Sequence, residues 1–321
     1  MFRKRRLLVN AVTLIPGVTS LPPVKRFMER RVLGTGGSDS ARYCYSVWLR
    51  HLVLAADSGM NTHPRTVAEL GPGDSLGMGL AALLSGAGRY YAFDVVPHAD
   101  VLRNLAVFEE LVQLFRRREP IPDAAEFPLA APLLRDYSFP AAILTPERMR
   151  LALDPARLDA IRASMRNCAS GDSLIQYRAP WFSDQVIERG SVDMIFSQAV
   201  LEHVDQLREV YECMHQWLAP GGFLSHQVDL QCHGWASEWN GHWTYSDLMW
   251  KLVRGKDSWL INRQPASTHI ALIEASGFRT LRVERTQQES HITRAQLARR
   301  FRDMPEEDLR TSGLFVQAVR A

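Results

Sequence analysis

Two groups of residues in this 321-residue chain have types and spacings suited to chemistry. The first is Glu69-Leu-Gly71-Pro-Gly73, with Asp94 about twenty positions further on. Gly71 and Gly73 reach backbone angles closed to other residues and leave the main chain open to a ligand. A helix starting just after them offers N–H groups with no partner inside the helix. A glycine turn between strand and helix, then a carboxylate ending the next strand, is how doubly wound sheets hold nucleotides; the carboxylate takes the ribose hydroxyls. The second group is Glu202, His203, His226, Asp229 and His233, with His242 beyond. Imidazoles and carboxylates are the usual general bases.

Regular elements must bring these groups together. Thr66–Leu70 reads as a short buried strand, Ser75–Leu84 as a helix and Tyr90–Asp94 as a second strand. Leu76 stands where a dinucleotide fingerprint needs glycine, and the turn holds no basic residue for a pyrophosphate. A ligand with an ammonium group and an adenosine suits Glu69 and the turn better. Ser40–Leu54 has Tyr45, Trp48, Leu49 and Leu52 at helical spacing, and Ala99–Arg116 is amphipathic in the same way. Prolines interrupt residues 119–171, with one or two helices expected between Pro146 and Met165. Ser173–Tyr177 and Ser191–Ser197 read as strands, and Leu218–Leu224 as a Pro-Gly-Gly turn entering a fifth. Ser267–Ala275 and Thr293–Phe301 read as helices, Arg279–Arg285 and Leu314–Val319 as a closing strand pair.

These motifs, in this order, resemble the class I S-adenosylmethionine-dependent methyltransferases of the type-11 kind. The resemblance rests on Glu69-x-Gly71-x-Gly73, on Asp94, on the Asp193 strand with Leu201-Glu-His203, and on Pro220-Gly-Gly222. Ser75 replaces the third glycine of the family's first motif. The resemblance implies a Rossmann-like α/β fold: a seven-stranded, mostly parallel sheet with a closing antiparallel hairpin and helices on both faces. It implies S-adenosyl-L-methionine as cofactor and methyl transfer to a small-molecule or glycan acceptor, at oxygen before nitrogen. Glu69, Gly71, Gly73 and Asp94 are then expected to hold the cofactor, with Ser197 and Gln198 beside its methionine part. His203 and His226 are expected at the reacting centre. No aspartate or asparagine ends the third strand to take the adenine amino group, and Asp184 falls late for it. Ala199 stands where the related ubiquinone-pathway O-methyltransferases carry an acid that sometimes binds a metal. His226 and Asp229, three apart on a strand, point to opposite faces; no metal is expected.

Domain organisation follows: a basic arm and lid helix over residues 1–60, then a methyltransferase domain over 61–321. That domain has an insertion at about 98–172 and a tryptophan-rich loop at about 231–262, which either stacks on a ring of the acceptor or forms plain core. Tyr45 and Trp48 have the same two readings, as cofactor lid or as core. Residues 1–31 carry eight Lys or Arg and one acid against a chain total of +3, so the remainder is mildly acidic and gives no reason to bind nucleic acid. The arm itself has three readings: a secretory signal weakened by Asn10 and Pro16, a peripheral membrane anchor, or a segment packed on its own domain. Four scattered cysteines point to a reducing, cytoplasmic setting. The rival in function is a non-catalytic scaffold recruited through the arm.

Overall fold

A computed structural model describes residues 13–14, 37–168, 170–181, 186–255 and 260–321. The basic arm of residues 1–31, Asp184 and Trp259 lie outside the described residues, apart from Thr13 and Leu14. Seven strands form one sheet: β1 (Thr66–Leu70), β2 (Arg89–Phe93), β3 (Ile175–Arg178), β4 (Val192–Gln198), β5 (Leu218–Asp229), β6 (Phe278–Gln287) and β7 (Thr311–Arg320). Their order across the sheet is β3-β2-β1-β4-β5-β7-β6. The first five run parallel, and β7 pairs antiparallel with both β5 and β6. Strand order reverses between β1 and β4, which is where open α/β sheets leave a crevice for a ligand beyond the strand ends.

Apolar side chains cover both faces. On one face α1 (Ala41–Asp57), α2 (Gly77–Leu84), α3 (Val101–Arg117), α4 (Pro146–Ala152) and α5 (Pro155–Arg166) bury Val67, Tyr90, Met194 and Phe196. On the other, α6 (Leu207–Trp217) and α8 (Ala266–Ala275) bury Leu70, Phe93, Ile195 and Val316. The alternation along each strand is the two-residue period of a sheet buried on both sides. Helix starts follow their capping residues: Ser40 accepts the Tyr43 N–H and Asp100 the Arg103 N–H. Asp193, at the foot of β4, accepts the N–H groups of Arg65 and Thr66 at 2.7 and 2.8 Å, fastening β1 to β4.

Two expected elements differ. The helix after the glycine turn starts at Gly77, because Asn104 of α3 takes the Leu76 N–H at 2.9 Å ahead of its first turn. The stretch Thr293–Phe301 holds two separate 3₁₀ turns, Arg294–Gln296 and Arg299–Phe301, the first closed by a reciprocal Thr293–Gln296 capping box. Tyr45 and Trp48 are core: the Tyr45 hydroxyl donates to the Glu119 carbonyl and the Trp48 indole to Ser85.

The tryptophan-rich segment is core as well. Trp235 and Trp250 pack with Val253, Leu260 and Ile261 beside α7 (Asp247–Arg254). Trp239 and Trp243 pack with Leu297, Phe301 and Met304, ahead of α9 (Glu306–Arg310). Arg263, 3% exposed, lies 5.0 Å from the Trp250 ring and 5.2 Å from Phe301, joining the two clusters.

After β2 the chain carries α3–α5 and a loop over 118–145 tied down by α1. Arg50, fully buried, donates to the carbonyls of Pro122, Ala130 and Pro132. Carbonyls take the role a counter-charge would have, and burial pulls this guanidinium below its ordinary range. Among the described residues no helix is long and apolar enough to cross a membrane.

Candidate active site

The glycine turn closes the end of β1. Gly71 takes φ +64° and Gly73 φ +75°. A Cβ at Gly71 would stand 2.5 Å from the Val200 side chain, so both the angle and the space demand glycine. The Gly71 N–H donates to the Phe93 carbonyl at 2.8 Å, drawing the turn against the end of β2. Asp94, 7% exposed, follows there, and its Oδ1 accepts the Val95 and Val96 N–H groups. A bond from Gly73 also reaches it, yet burial still pushes its carboxyl upward. Ser38, just before α1, caps the turn from above: its hydroxyl accepts the Asp74 N–H at 2.8 Å, and its carbonyl accepts from the Ser75 hydroxyl.

Glu69 is wholly buried under this turn. Its Oε2 accepts the Tyr90 hydroxyl, while Oε1 has no protein partner. Burial pushes the carboxyl up to about 8, against the pull of Tyr90 and the Gly79 backbone. A buried carboxylate oxygen without a donor is costly. A cationic group of a ligand at the turn would offset that cost.

Across the sheet, Leu70 is in register with Ser197, so the ends of β1 and β4 lie side by side. Glu69, Gly71, Gly73, Asp94, Ser197 and Gln198 therefore gather at the ends of three adjacent strands. Their side chains divide between faces. The Ser197 hydroxyl meets His226 Nδ1 at 2.8 Å behind the sheet. Gln198 turns to the α1 face, donating to the Ala131 carbonyl at 2.9 Å and meeting His51 Nε2 at 3.3 Å. The 118–145 loop thus reaches the end of β4 through Gln198.

The structure separates the two histidines. His203 lies on the 3₁₀ turn Leu201–His203 after β4, its side chain 19% exposed. His226 has no exposed surface. It stands within β5, opposite Ser197 and Val316, against Tyr211 of α6. Burial, with His51 and His269 nearby, pulls it down to about 3, so it stays neutral at physiological pH. As placed here His226 does not open onto the strand ends.

Beside His203 stand the other candidate bases of the sequence, with Asn262, which the sequence did not single out. Glu202 is 1% exposed, and neither of its oxygens has a protein hydrogen-bond partner. Burial and the neighbouring Asp229 push its carboxyl well up. Asn262 secures the turn, its N–H on the Glu202 carbonyl and its side chain on those of Leu201 and Val204. Asp229 ends β5, and His233 Nε2 returns to its Oδ2 at 3.2 Å. The rings of His203 and His233 lie 5.3 Å apart. His242 is 1% exposed and tilted against Trp243, so it belongs to the tryptophan core. Among the described residues no three of His, Cys, Asp and Glu are placed to share a metal ion. A surface groove of about 490 Å³ beside Arg116, Arg118 and Arg150 sits at the C-terminal end of α3, away from these groups.

Arg50 and Asn262 carried no motif; the one signal for Arg50 was a charge on an apolar helix with Ser46 one turn before it, and Ser46 Oγ does accept from Arg50 at 3.0 Å.

Residues 150–225 match the sequence profile of the methyltransferase domain family. No curated protein matches the chain. Among solved structures, an S-adenosylmethionine-dependent methyltransferase from Mesorhizobium loti aligns at 15% identity over 80% of this chain and 91% of its own, with a TM-score of 0.39. Phosphoethanolamine N-methyltransferase 2 of Haemonchus contortus, in complex with phosphomonomethylethanolamine and S-adenosylhomocysteine, aligns at 14% over 85% of this chain and 52% of its own, with a TM-score of 0.41. The profile match covers β3, β4 and the start of β5, the segment that carries Ser197, Gln198 and His203. With the 3-2-1-4-5-7-6 sheet around it, the matched segment lies within a Rossmann-like α/β fold.

Proposed function

We propose that the chain binds S-adenosylmethionine across the ends of β2, β1 and β4 and directs its methyl group to an oxygen of a small-molecule acceptor. The carrying observation is Glu69 Oε1, a buried carboxylate oxygen with no protein donor at the base of a turn that only glycine can make. The ammonium of the cofactor's amino-acid part is the donor that suits it. Asp94 takes the ribose hydroxyls, and Gln198 borders the methionine part. When bound, the cofactor supplies an activated methyl group. The protein's part is placement, worth about 7–11 kcal/mol of barrier when the geometry is right, and a base for the acceptor proton, worth about a hundred- to ten-thousandfold.

The acceptor lies beyond β4 and β5, with His203 facing it. His226 acts from behind, as the group that holds Ser197. The described tryptophans of the 231–262 segment are packed into cores, which favours a small acceptor over a glycan laid on that segment. Calorimetric titration with S-adenosylmethionine and S-adenosylhomocysteine tests the reading, alongside Asp94→Ala. Binding by the wild type, weakened at least tenfold in the variant (about 1.4 kcal/mol), is expected. A folded wild-type sample that binds neither compound would sink it.

A further inference from the structure

We propose that His233, held by Asp229, is the catalytic base that takes the proton of the acceptor hydroxyl, and that His203 orients that hydroxyl from across the site. This deepens the methyl-transfer reading and rests on it.

The geometry begins where β5 stops. Asp229 Oδ1 accepts the Gln231 N–H at 3.0 Å, turning the chain out of the sheet. His233 then takes φ +49° and Gly234 φ +78°. A left-handed histidine is uncommon and persists only where its surroundings impose it. Here they do. The Cys232 N–H donates to the Trp239 carbonyl at 2.7 Å, the Trp235 N–H to the Cys232 carbonyl at 3.0 Å, and the Tyr245 hydroxyl to the Trp235 carbonyl at 2.9 Å. The tryptophan cores thus clamp the one turn that swings the His233 ring back onto Asp229.

Two histidines compete for the role, and their carboxylates decide between them. His203 Nε2 stands 4.0 Å from Glu202 Oε1, beyond a hydrogen bond. Burial holds Glu202 toward its neutral form, which cannot stabilise an imidazolium. His233 Nε2 stands 3.2 Å from Asp229 Oδ2. Burial pulls Asp229 upward, but the bonds from His233 and Gln231 outweigh it and keep the carboxyl below its usual range. An ionised aspartate fixes the ring with Nε2–H inward and leaves Nδ1 to receive a proton. The His233 side chain is also 32% exposed, open to an acceptor in a way that His226 is not.

The step balances. The acceptor's O–H bond breaks as its oxygen bonds to the methyl carbon, and the carbon–sulfur electron pair returns to sulfur. The proton passes to His233 Nδ1, forming an imidazolium paired with Asp229, and leaves to water.

The first test is nitrogen-resolved NMR of the histidine rings in the full chain, with and without S-adenosylhomocysteine. His233 is expected as the Nε2–H tautomer, and Asp229→Ala is expected to abolish that preference. An Nδ1–H tautomer, or a His233 signal indifferent to Asp229→Ala, overturns the proposal. The second test uses His233→Asn, since asparagine tolerates left-handed backbone, and His203→Asn, with phenol and catechol probes as methyl acceptors. His233→Asn is expected to lower kcat about a hundredfold or more while S-adenosylhomocysteine binding stays within twofold; His203→Asn is expected to raise KM more than it lowers kcat. Wild-type kcat in His233→Asn, or transfer confined to amine probes, overturns it. Failure of the wild type to bind S-adenosylhomocysteine strikes the methyl-transfer reading, whereas a wrong tautomer strikes only the base assignment.

Discussion

The sheet buries a histidine on each face where β4 meets β5, and the two are treated differently. On the α1 face, His51 Nδ1 meets Ser225 Oγ at 2.6 Å and Nε2 meets Gln198 Oε1 at 3.3 Å. Gln317 donates to the same serine hydroxyl and to the His51 carbonyl. On the α6 and α8 face, His226 uses Nδ1 on Ser197, and Nε2 has no protein partner. His269 and Glu202 on that side also keep polar atoms without protein partners. Buried polar groups are normally satisfied, so a cluster of exceptions asks for an explanation. Around His51 the α1 face is a closed network that ties the 118–145 loop and β7 to the end of β4. The other face backs onto the Glu202–His203 turn, and its open valences lie next to the proposed chemistry.

The largest effect expected from breaking this comparison is on stability. His51→Ala removes both ring bonds and leaves a cavity, at a cost of roughly 3 kcal/mol. His226→Ala loses one bond, and roughly half that cost is expected. Denaturant unfolding of the two variants measures the difference. Equal losses would mean that the unpartnered nitrogen of His226 is satisfied in solution.

Glu202→Gln sharpens it next. The folded carboxyl is raised, so the unfolded chain releases its proton first as pH rises. The wild type should therefore lose stability from about pH 4.5 upward, with a slope approaching about 1.4 kcal/mol per pH unit for one proton. The variant removes that contribution and is expected to be the more stable protein at pH 8. An unchanged slope between wild type and variant would show Glu202 to be solvated.

The smallest effect is expected at Tyr211→Phe. The Tyr211 hydroxyl meets His269 Nδ1 at 3.0 Å within the same face. Its loss should cost about 1 kcal/mol and leave cofactor affinity unchanged, as calorimetry would show. A larger effect on affinity than on unfolding would connect this face to the site directly.

The first half of the site was legible because its demands are local. Gly71 and Gly73 need backbone angles that other residues resist, and the strands around them are short apolar runs ended by polar residues. Asp94 was placed by spacing alone. The second half was not legible, because its residues meet through turns whose hands no pattern reveals. Alternation along β5 puts His226 and Asp229 on opposite faces, but does not say which helices cover each face. His226 met α6 and α8 instead of the crevice. His233 lies four residues past Asp229, a spacing that brings side chains together only if the chain curls, and a left-handed histidine was needed for that.

What this amino-acid sequence determined by itself was the fold and the glycine turn and carboxylate that end β1 and β2. Strand periodicity and glycine turns act over a few residues, where backbone sterics leave little choice. Tertiary structure decided the rest. It closed His226 behind the sheet, turned the tryptophans into the clamp for one loop, and paired Asp229 with His233 while leaving Glu202 without a donor. Those outcomes depend on which buried groups find partners, and partners are drawn from elements far apart in the chain.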